Sequence, residues 1–447
     1  MKKGNEYWVL IIALSLGMLG LLMVFSSSLV MTASSSSFGS DPYFFFKRQG
    51  VWFCAGLVAL MVARKIDLEK WRSLLSLPLL GVNICLLILV LLVGPEINGA
   101  HRWLIIAGFQ FQPAELTKLA MIFYMADFLS RRGEKIQSFA RLVPALALFG
   151  LSLILIEREP DLGTALVVAG VFMTMLFASG AQISHLLGMS AAGAMVVVVS
   201  VLAKPYRLKR ITSFLDPDAD PQGSGYHAIQ SLLAIGSGGL FGRGFGVGHQ
   251  KYKYLPEAHT DYIFSILAEE LGLVGTLCVI FLFVALLYKG CQIALHCRRP
   301  YLRNLALGVT FLLCLQAFLN IGVVTGSTPS TGLPLPFISY GGTSLLFSLV
   351  SIGLLMNVAE SNAAHRDACK KPKRRVSRQR SGATLSSSHE ESLDAVSSGV
   401  WESQAAGSRL TSSNDKVPRP AVEPGLLKNS DWATRRRGRA RSGRKSV

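Results

Sequence analysis

About ten stretches of mostly apolar residues follow one another along this chain, at 7–31, 49–63, 73–93, 113–129, 142–156, 162–179, 183–203, 262–289, 302–325 and 337–359. No other feature restricts its fold as much, because roughly 20 apolar residues are what a helix needs to cross the hydrocarbon core of a bilayer. Charged residues make up only 16% of the chain and hydrophobic ones 51%, whereas a soluble domain carries about 25% charged residues. The pattern predicts an all-α polytopic membrane protein with about ten transmembrane helices. The segments at 49–63, 142–156 and 162–179 are short for a span. The first segment follows Lys2 and Lys3 as the apolar part of a signal peptide would. It runs well beyond the roughly 7–15 residues of a cleavable one and reads as a retained first span.

Basic residues in short loops mark the cytoplasmic side. Arg64, Lys65, Lys70 and Arg72 follow the second segment, Arg131, Arg132, Lys135 and Arg141 the fourth, and Lys289, Arg298, Arg299 and Arg303 the eighth. The intervening links at 94–103 and 157–161 hold one Arg each, and 326–336 holds none. Both termini are therefore expected in the cytoplasm, with 204–260 as a long external loop. The seven cysteines are scattered without a CxxC pair, so neither a disulfide framework nor a zinc site is indicated.

The character of the chain changes after Ala359. Residues 361–447 are rich in Ser, Gly and Arg, with basic clusters at 370–380 and 435–445. Such a segment buries too little apolar surface to offset its ordering entropy and is expected to be a disordered basic cytoplasmic tail. The domain reading is thus a transmembrane domain over 1–360 followed by the tail. A solvated tether or a patch for anionic lipid or an acidic partner explains the tail's charge. No folded nucleic-acid reader accompanies it.

Charges inside apolar segments are costly and normally face a cavity or a partner. In "FQPAELTKLAMI", Glu115 and Lys118 share a helix face, as an internal ion pair or as part of a site. In "EREPDLGTAL", Glu157, Glu159 and Asp161 crowd a helix junction at Pro160. In "NGAHRWL", Arg102 and Trp103 stand at the membrane interface, where an aromatic anchor is equally ordinary. In "LPEAHTDYIFSILAEELG", Asp261 stands at the lip of a helix that goes on to carry Glu269 and Glu270. Thr260 is a good N-cap and an acid in the first turn suits the helix dipole, so Asp261 could be a capping residue. At about 100° per residue Asp261 and Glu269 are some 80° apart on that helix, and Glu270 points the opposite way. The clustering of such residues at external ends of different segments suggests a polar cavity open to the outer leaflet.

The glycine-rich run "GSGGLFGRGFGVG" lacks the GK[ST] and the strand–helix setting of a nucleotide loop. It is a flexible loop or a backbone cradle for phosphate, and Arg243, Lys251 and Lys253 would suit the second.

Together "NGAHRWL", "FQPAELTKLA", "EPDLGTAL", "FLDPDADPQGSGYHAIQSLLAIGSGGLFGRGFG", "LPEAHTDYIFSILAEELGLVG" and "GLPLPFISYGGTSLL" resemble the SEDS family of bacterial membrane proteins (shape, elongation, division and sporulation), over roughly residues 10–360. "FQPAELTKL" and "YLPEAHTD" look more like the division branch than the elongation branch. The tail lies outside the resemblance. What the resemblance implies is a peptidoglycan glycosyltransferase of the bacterial cytoplasmic membrane, acting at the division septum. It would polymerise lipid II with a class B penicillin-binding protein and other divisome proteins. The family's catalytic acid maps onto Asp261 as general base. By the same resemblance Lys118 and Arg102, with Arg243, would offset diphosphate charge, and Glu115 would orient Lys118. Asp161 would bind sugar or order the external ends, Trp103 would stack on a sugar, and Glu269 would line the cavity or pack the helix. A divalent cation, Mg or Mn, suits the leaving diphosphate, but no ligand cluster identifies one. A lipid II flippase and a non-catalytic divisome scaffold are the rival readings.

Overall fold

The computed structural model describes residues 5–33, 41–97, 99–106, 108–252 and 258–370. The chain divides into two units, 1–374 and 375–447. The second, and with it the expected disordered tail beyond Lys370, lies outside the described residues. Each of the ten apolar segments holds a helix, although the tenth turns helical only at Gly342. They form α1 (Asn5–Ala33), α2 (Phe44–Lys65), the pair α3 (Arg72–Leu75) and α4 (Leu77–Val93), α5 (Pro113–Arg132), α6 (Val143–Arg158), α7 (Leu162–Ala178) and α8 (Ile183–Leu202). After α9 (Pro205–Leu215) and α10 (Tyr226–Gly238) come α11 (Ile263–Leu295), α12 (Pro300–Val324) and α13 (Gly342–Lys370). Seven of these helical stretches are long and apolar enough to cross a membrane, and α7 is apolar but shorter.

Three boundaries differ from the sequence reading. The stretch 204–260 contains two helices, α9 and α10, and α13 runs ten residues past 360 to Lys370. Two small antiparallel hairpins interrupt the all-α pattern between α4 and α5, pairing Glu96 with His101 and Leu104 with Phe111.

Burial follows each helix's neighbours. On α2 the buried residues Phe45, Gln49, Phe53, Gly56, Leu60 and Ala63 recur at helical spacing and face α13. Contact is close because the small residues stand there: a Cβ on Gly56 would lie 2.4 Å from Leu349, and one on Gly353 2.4 Å from the Leu60 carbonyl oxygen. Small residues at such crossings let membrane helices pack by van der Waals contact. α5 is buried at every position from Pro113 to Leu129 except Leu116, so its Glu115, Lys118 and Asp127 are interior groups rather than lipid-facing ones. On α8, by contrast, the only fully buried residue is Val201.

α11 is not one helix. Gly272 sits at φ 68°, ψ −164° and divides it into a half-helix, 263–271, and a spanning part. The glycine-rich run supplies what the break removes. The N–H groups of Arg243 and Gly244 donate to the carbonyls of Glu269 and Glu270 (3.0 and 3.1 Å). Those of Leu273 and Val274 donate to the carbonyls of Gly239 and Leu240 (2.9 and 3.1 Å). A helix end leaves several backbone groups unpaired, and irregular backbone at membrane depth is tolerated only where protein satisfies it. The run is therefore a splice across a broken helix. Neither the flexible loop nor the phosphate cradle describes it.

A Cβ at Gly272 would lie 2.2 Å from the Gly242 nitrogen. Gly272→Ala is accordingly expected to lower the unfolding temperature in detergent. The backbone conformation, which essentially only glycine adopts, costs about 1–3 kcal/mol for a residue with a side chain, and the clash adds to it. An unchanged melting profile would mean that the break is not held in this conformation.

Candidate active site

The half-helix bridges the end of the bundle. Its beginning meets α12, where Asn320 Nδ2 donates to the Asp261 carbonyl at 2.8 Å. Its far end meets α1, where Ser26 Oγ donates to Glu270 Oε1 at 2.6 Å. α11 starts at Ile263 with Tyr262 as N-cap and no side-chain capping bond. Thr260 is therefore not the cap, and Asp261 lies immediately ahead of the helix at its positive end.

The surroundings of Asp261 come from the irregular segment 326–341 between α12 and α13. A Cβ at Gly332 would stand 3.6 Å from Asp261 Oδ2. The Tyr340 N–H donates to the His259 carbonyl at 2.9 Å. Three amides inside apolar helices hold this segment in place. Gln49 Nε2 donates to the Ser339 carbonyl (3.1 Å), Gln316 Nε2 to that of Pro334 (2.9 Å) and Asn320 Nδ2 to that of Leu333 (2.7 Å). Phe337 is held at φ 68° and buried, a backbone conformation that survives only where packing over-determines it.

Lys118 belongs to the same construction. Its Nζ donates to Glu115 Oε1 at 2.7 Å and to Gln316 Oε1 at 2.8 Å, with both ionic side chains buried. Gln316 thus joins the Lys118–Glu115 pair to the segment that faces Asp261, and Asn320 is one turn further along the same helix. Arg210 of α9 enters from another side. It donates to the Ser330 carbonyl at 3.1 Å and lies over the Tyr206 ring. Burial, and then the charge of Asp261, raise the Tyr262 phenol pKa, while Arg210 and a hydrogen bond with Ser330 oppose the rise.

Asp161 caps α7, accepting from the Thr164 N–H at 3.0 Å, from Thr164 Oγ1 at 2.9 Å and from Gln112 Nε2 at 3.1 Å. The next turn touches the same irregular segment, since a Cβ on Gly163 would lie 2.6 Å from the Thr331 carbonyl. Arg102 donates to the carbonyls of Glu159 (2.8 Å) and Pro160 at the end of α6, as a cation at a helix C-terminus does. The starts of α5, α7, α11 and α13 therefore gather at one end, and Arg102, Glu115, Lys118, Asp161 and Asp261 gather with them. Trp103 is half-buried in the link between the hairpins, its carbonyl 3.2 Å from where a Gly94 Cβ would stand.

Two expected site residues stand apart, at the splice. Arg243 is exposed and its Nε donates to the Ser237 carbonyl at 3.2 Å. Glu269 is buried and accepts from the N–H groups of His249 (2.6 Å) and Gln250 (3.2 Å). It fastens the loop to the half-helix. Lys253 lies outside the described residues.

Glu159 is fully buried, and its carboxyl oxygens have no hydrogen-bond partner among the described residues. Burial, and next the charge of Asp161, raise its pKa to about 9 against the pull of Arg102, so it is neutral at pH 7. A carboxyl whose folded pKa exceeds its unfolded value lowers stability as pH rises from the second to the first. Here that window runs from 4.5 to about 9. Glu159→Gln should raise the unfolding temperature at pH 8 and leave it unchanged at pH 4. Equal curves at both pH values would show that Glu159 is not held neutral.

No group of three or more His, Cys, Asp or Glu among the described residues is placed to hold a metal ion.

Comparison with known proteins gives a consistent result. A family model described as cell cycle protein, covering FtsW, RodA and SpoVE, matches residues 7–364. "Stage V sporulation protein E" of Bacillus subtilis is 43% identical over 361 residues, 80% of this chain and 98% of the relative. "Probable peptidoglycan glycosyltransferase FtsW" of Geobacter metallireducens is 42% identical over 356 residues, 78% and 93% of the two chains. Among solved structures, the rod shape determining protein RodA of Thermus thermophilus aligns with TM-score 0.59 at 31% identity, over 79% of this chain and 96% of that one. A chain from a study of how a peptidoglycan synthase complex coordinates polymerization and crosslinking aligns with TM-score 0.65 at 34% identity, covering 80% and 98%. With motifs, helical fold and relatives in agreement over four fifths of its length, this chain belongs to the FtsW/RodA/SpoVE family, the SEDS membrane proteins.

Proposed function

We propose that the chain is a peptidoglycan glycosyltransferase that polymerises lipid II, with Asp261 as general base. The observation that carries this reading is the linkage of Asp261, through Asn320, Gln316 and the segment 326–341, to the buried Lys118–Glu115 pair. An acid and cations thus meet at the end of the bundle where four helices start. In the orientation expected from loop charge that end faces outward, the chain crosses the membrane ten times, and both termini are cytoplasmic. The Asp is at the lip because the sugar of lipid II lies at the membrane surface while its polyprenyl chain lies in the bilayer.

The reaction takes the acceptor's 4-hydroxyl to the anomeric carbon of the donor. Asp261 removes the hydroxyl proton, the new glycosidic bond forms with inversion, and undecaprenyl diphosphate departs. Arg210 and Lys118, aided by the positive ends of the helices, offset the charge that develops on the diphosphate. No step is assigned to a metal. The opposite end of the bundle also has a polar cluster, but Asp127 there is occupied by Arg72, Arg131 and Ser76. That saturation argues against a second substrate site of the kind a flippase needs. A class B penicillin-binding protein would crosslink the product, and septal division is the setting that the motifs favour.

The test is lipid II polymerisation by purified chain together with its penicillin-binding partner, the latter carrying an inactivated transpeptidase site. Glycan strands are the expected product. None, in an assay validated with a control polymerase, would overturn the reading in favour of transport or scaffolding.

A further inference from the structure

The mechanism makes no use of a buried ion pair at the far end of the half-helix. Lys251 Nζ donates to Glu270 Oε1 at 3.0 Å, to Ser26 Oγ at 3.1 Å and to the Gly246 carbonyl at 2.6 Å. Ser26, Lys251 and Glu270 are all buried. The other carboxylate oxygen of Glu270 has no hydrogen-bond partner among the described residues, so the Lys251 cation and the Ser26 hydroxyl are what stabilise its charge.

This cluster joins three separate parts of the chain: α1, the end of the spliced run and the half-helix. Glu270 is nine residues from Asp261, about 13 Å along a helix, too far for Lys251 to touch a sugar held at Asp261. The break at Gly272 removes the support that a continuous helix would give to 263–271. Its placement then depends on what grips its two ends. The near end is held by Asn320 and by the Ser231–Ser265 hydroxyl contact at 2.8 Å. The far end is held by the backbone splice, by Glu269 and by the Lys251 cluster.

We infer that Lys251 is a positioning residue: by pairing with Glu270 and Ser26 it fixes the half-helix against α1 and thereby sets where Asp261 stands. The inference rests on the glycosyltransferase reading with Asp261 as base. It also gives the two acids of "AEELG" a shared purpose, since Glu269 holds the loop backbone while Glu270 holds its lysine.

The experiment compares full-length wild type, Lys251→Met and the charge-neutral double variant Lys251→Met/Glu270→Gln, each with its penicillin-binding partner and lipid II. The double variant is included because Lys251→Met alone leaves a bare buried carboxylate and can fail to fold. Rates are measured against lipid II concentration and pH, normalised to folded complex, and amide hydrogen exchange is followed over 263–271. In the folded double variant kcat should fall about 10- to 100-fold, the range that a small misplacement of a catalytic group produces, with KM within twofold. The acid limb of the kcat profile should move and amides 263–271 should exchange faster. A purely structural role would scale the rate equally at every pH. An unchanged kcat and pH profile would overturn the inference, as would a raised KM with kcat intact, which would make Lys251 a substrate contact. Both of those outcomes require an active wild type. No polymer from wild type would instead defeat the glycosyltransferase reading, and this inference with it.

Discussion

Asp261→Asn is expected to reduce lipid II polymerisation by about 10²–10⁴-fold, the contribution typical of a positioned general base. Asn keeps the size of the side chain and one acceptor oxygen, but its amide cannot take up the hydroxyl proton. The bond that anchors this residue to α12 uses its backbone carbonyl, which the substitution leaves in place. The variant should therefore fold, bind its partner and melt close to wild type, with the loss in kcat rather than KM. Glycan strand yield from matched amounts of folded complex decides the matter. If the Asn variant matches wild type, Asp261 has no part in the chemistry. A variant that fails to fold would place the residue among the structural groups at the start of the half-helix.

The largest effect on stability is expected at Lys118. Lys118→Met removes one member of an ion pair whose side chains are 2% and 5% exposed. Breaking such a buried pair from one side costs about 3–5 kcal/mol, because the partner's charge remains buried without compensation. Gln316 also loses the ammonium that its Oε1 accepts from, which loosens the hold on the segment beside Asp261. The double variant Glu115→Gln/Lys118→Met should recover most of the stability, since neutral groups replace both charges. It should not recover polymerisation, because the cation is still missing. Unfolding in detergent and strand synthesis on the two variants separate these effects. Equal destabilisation in both would show that the lysine stabilises by packing rather than by pairing.

Much of the fold was legible because its strongest signal is local. Long runs of apolar residues become helices largely whatever surrounds them, and each of the ten segments holds a helix, seven of the helical stretches being long and apolar enough to cross a bilayer. Element boundaries were less legible. α13 continues to Lys370, and the two hairpins between α4 and α5 depend on pairing that short, glycine-containing stretches do not announce. The acids and cations of the site stood out because charge inside an apolar segment is costly. Gln49, Gln316 and Asn320, uncharged amides in otherwise apolar helices, stand out less because a neutral amide costs less to bury than a charge. Arg210 was hidden for another reason: in sequence it looks like an ordinary loop cation, and only the fold turns it toward Ser330; Lys251 stood out only as a cation for a phosphate, and the fold buries it against Glu270 instead. The glycine-rich run misled because a row of glycines suits a phosphate cradle as well as a close backbone approach. The difference lay in Gly272, which sits some thirty residues away and carries no mark of a break.

The splice has a consequence for how the gene can vary. Its bonds pair 239–240 with 273–274 and 243–244 with 269–270 residue by residue. Adding or removing one residue between the two pairs would put one pair out of register with the other and leave polar groups unpaired where water is scarce. Length changes should therefore be refused in 239–244.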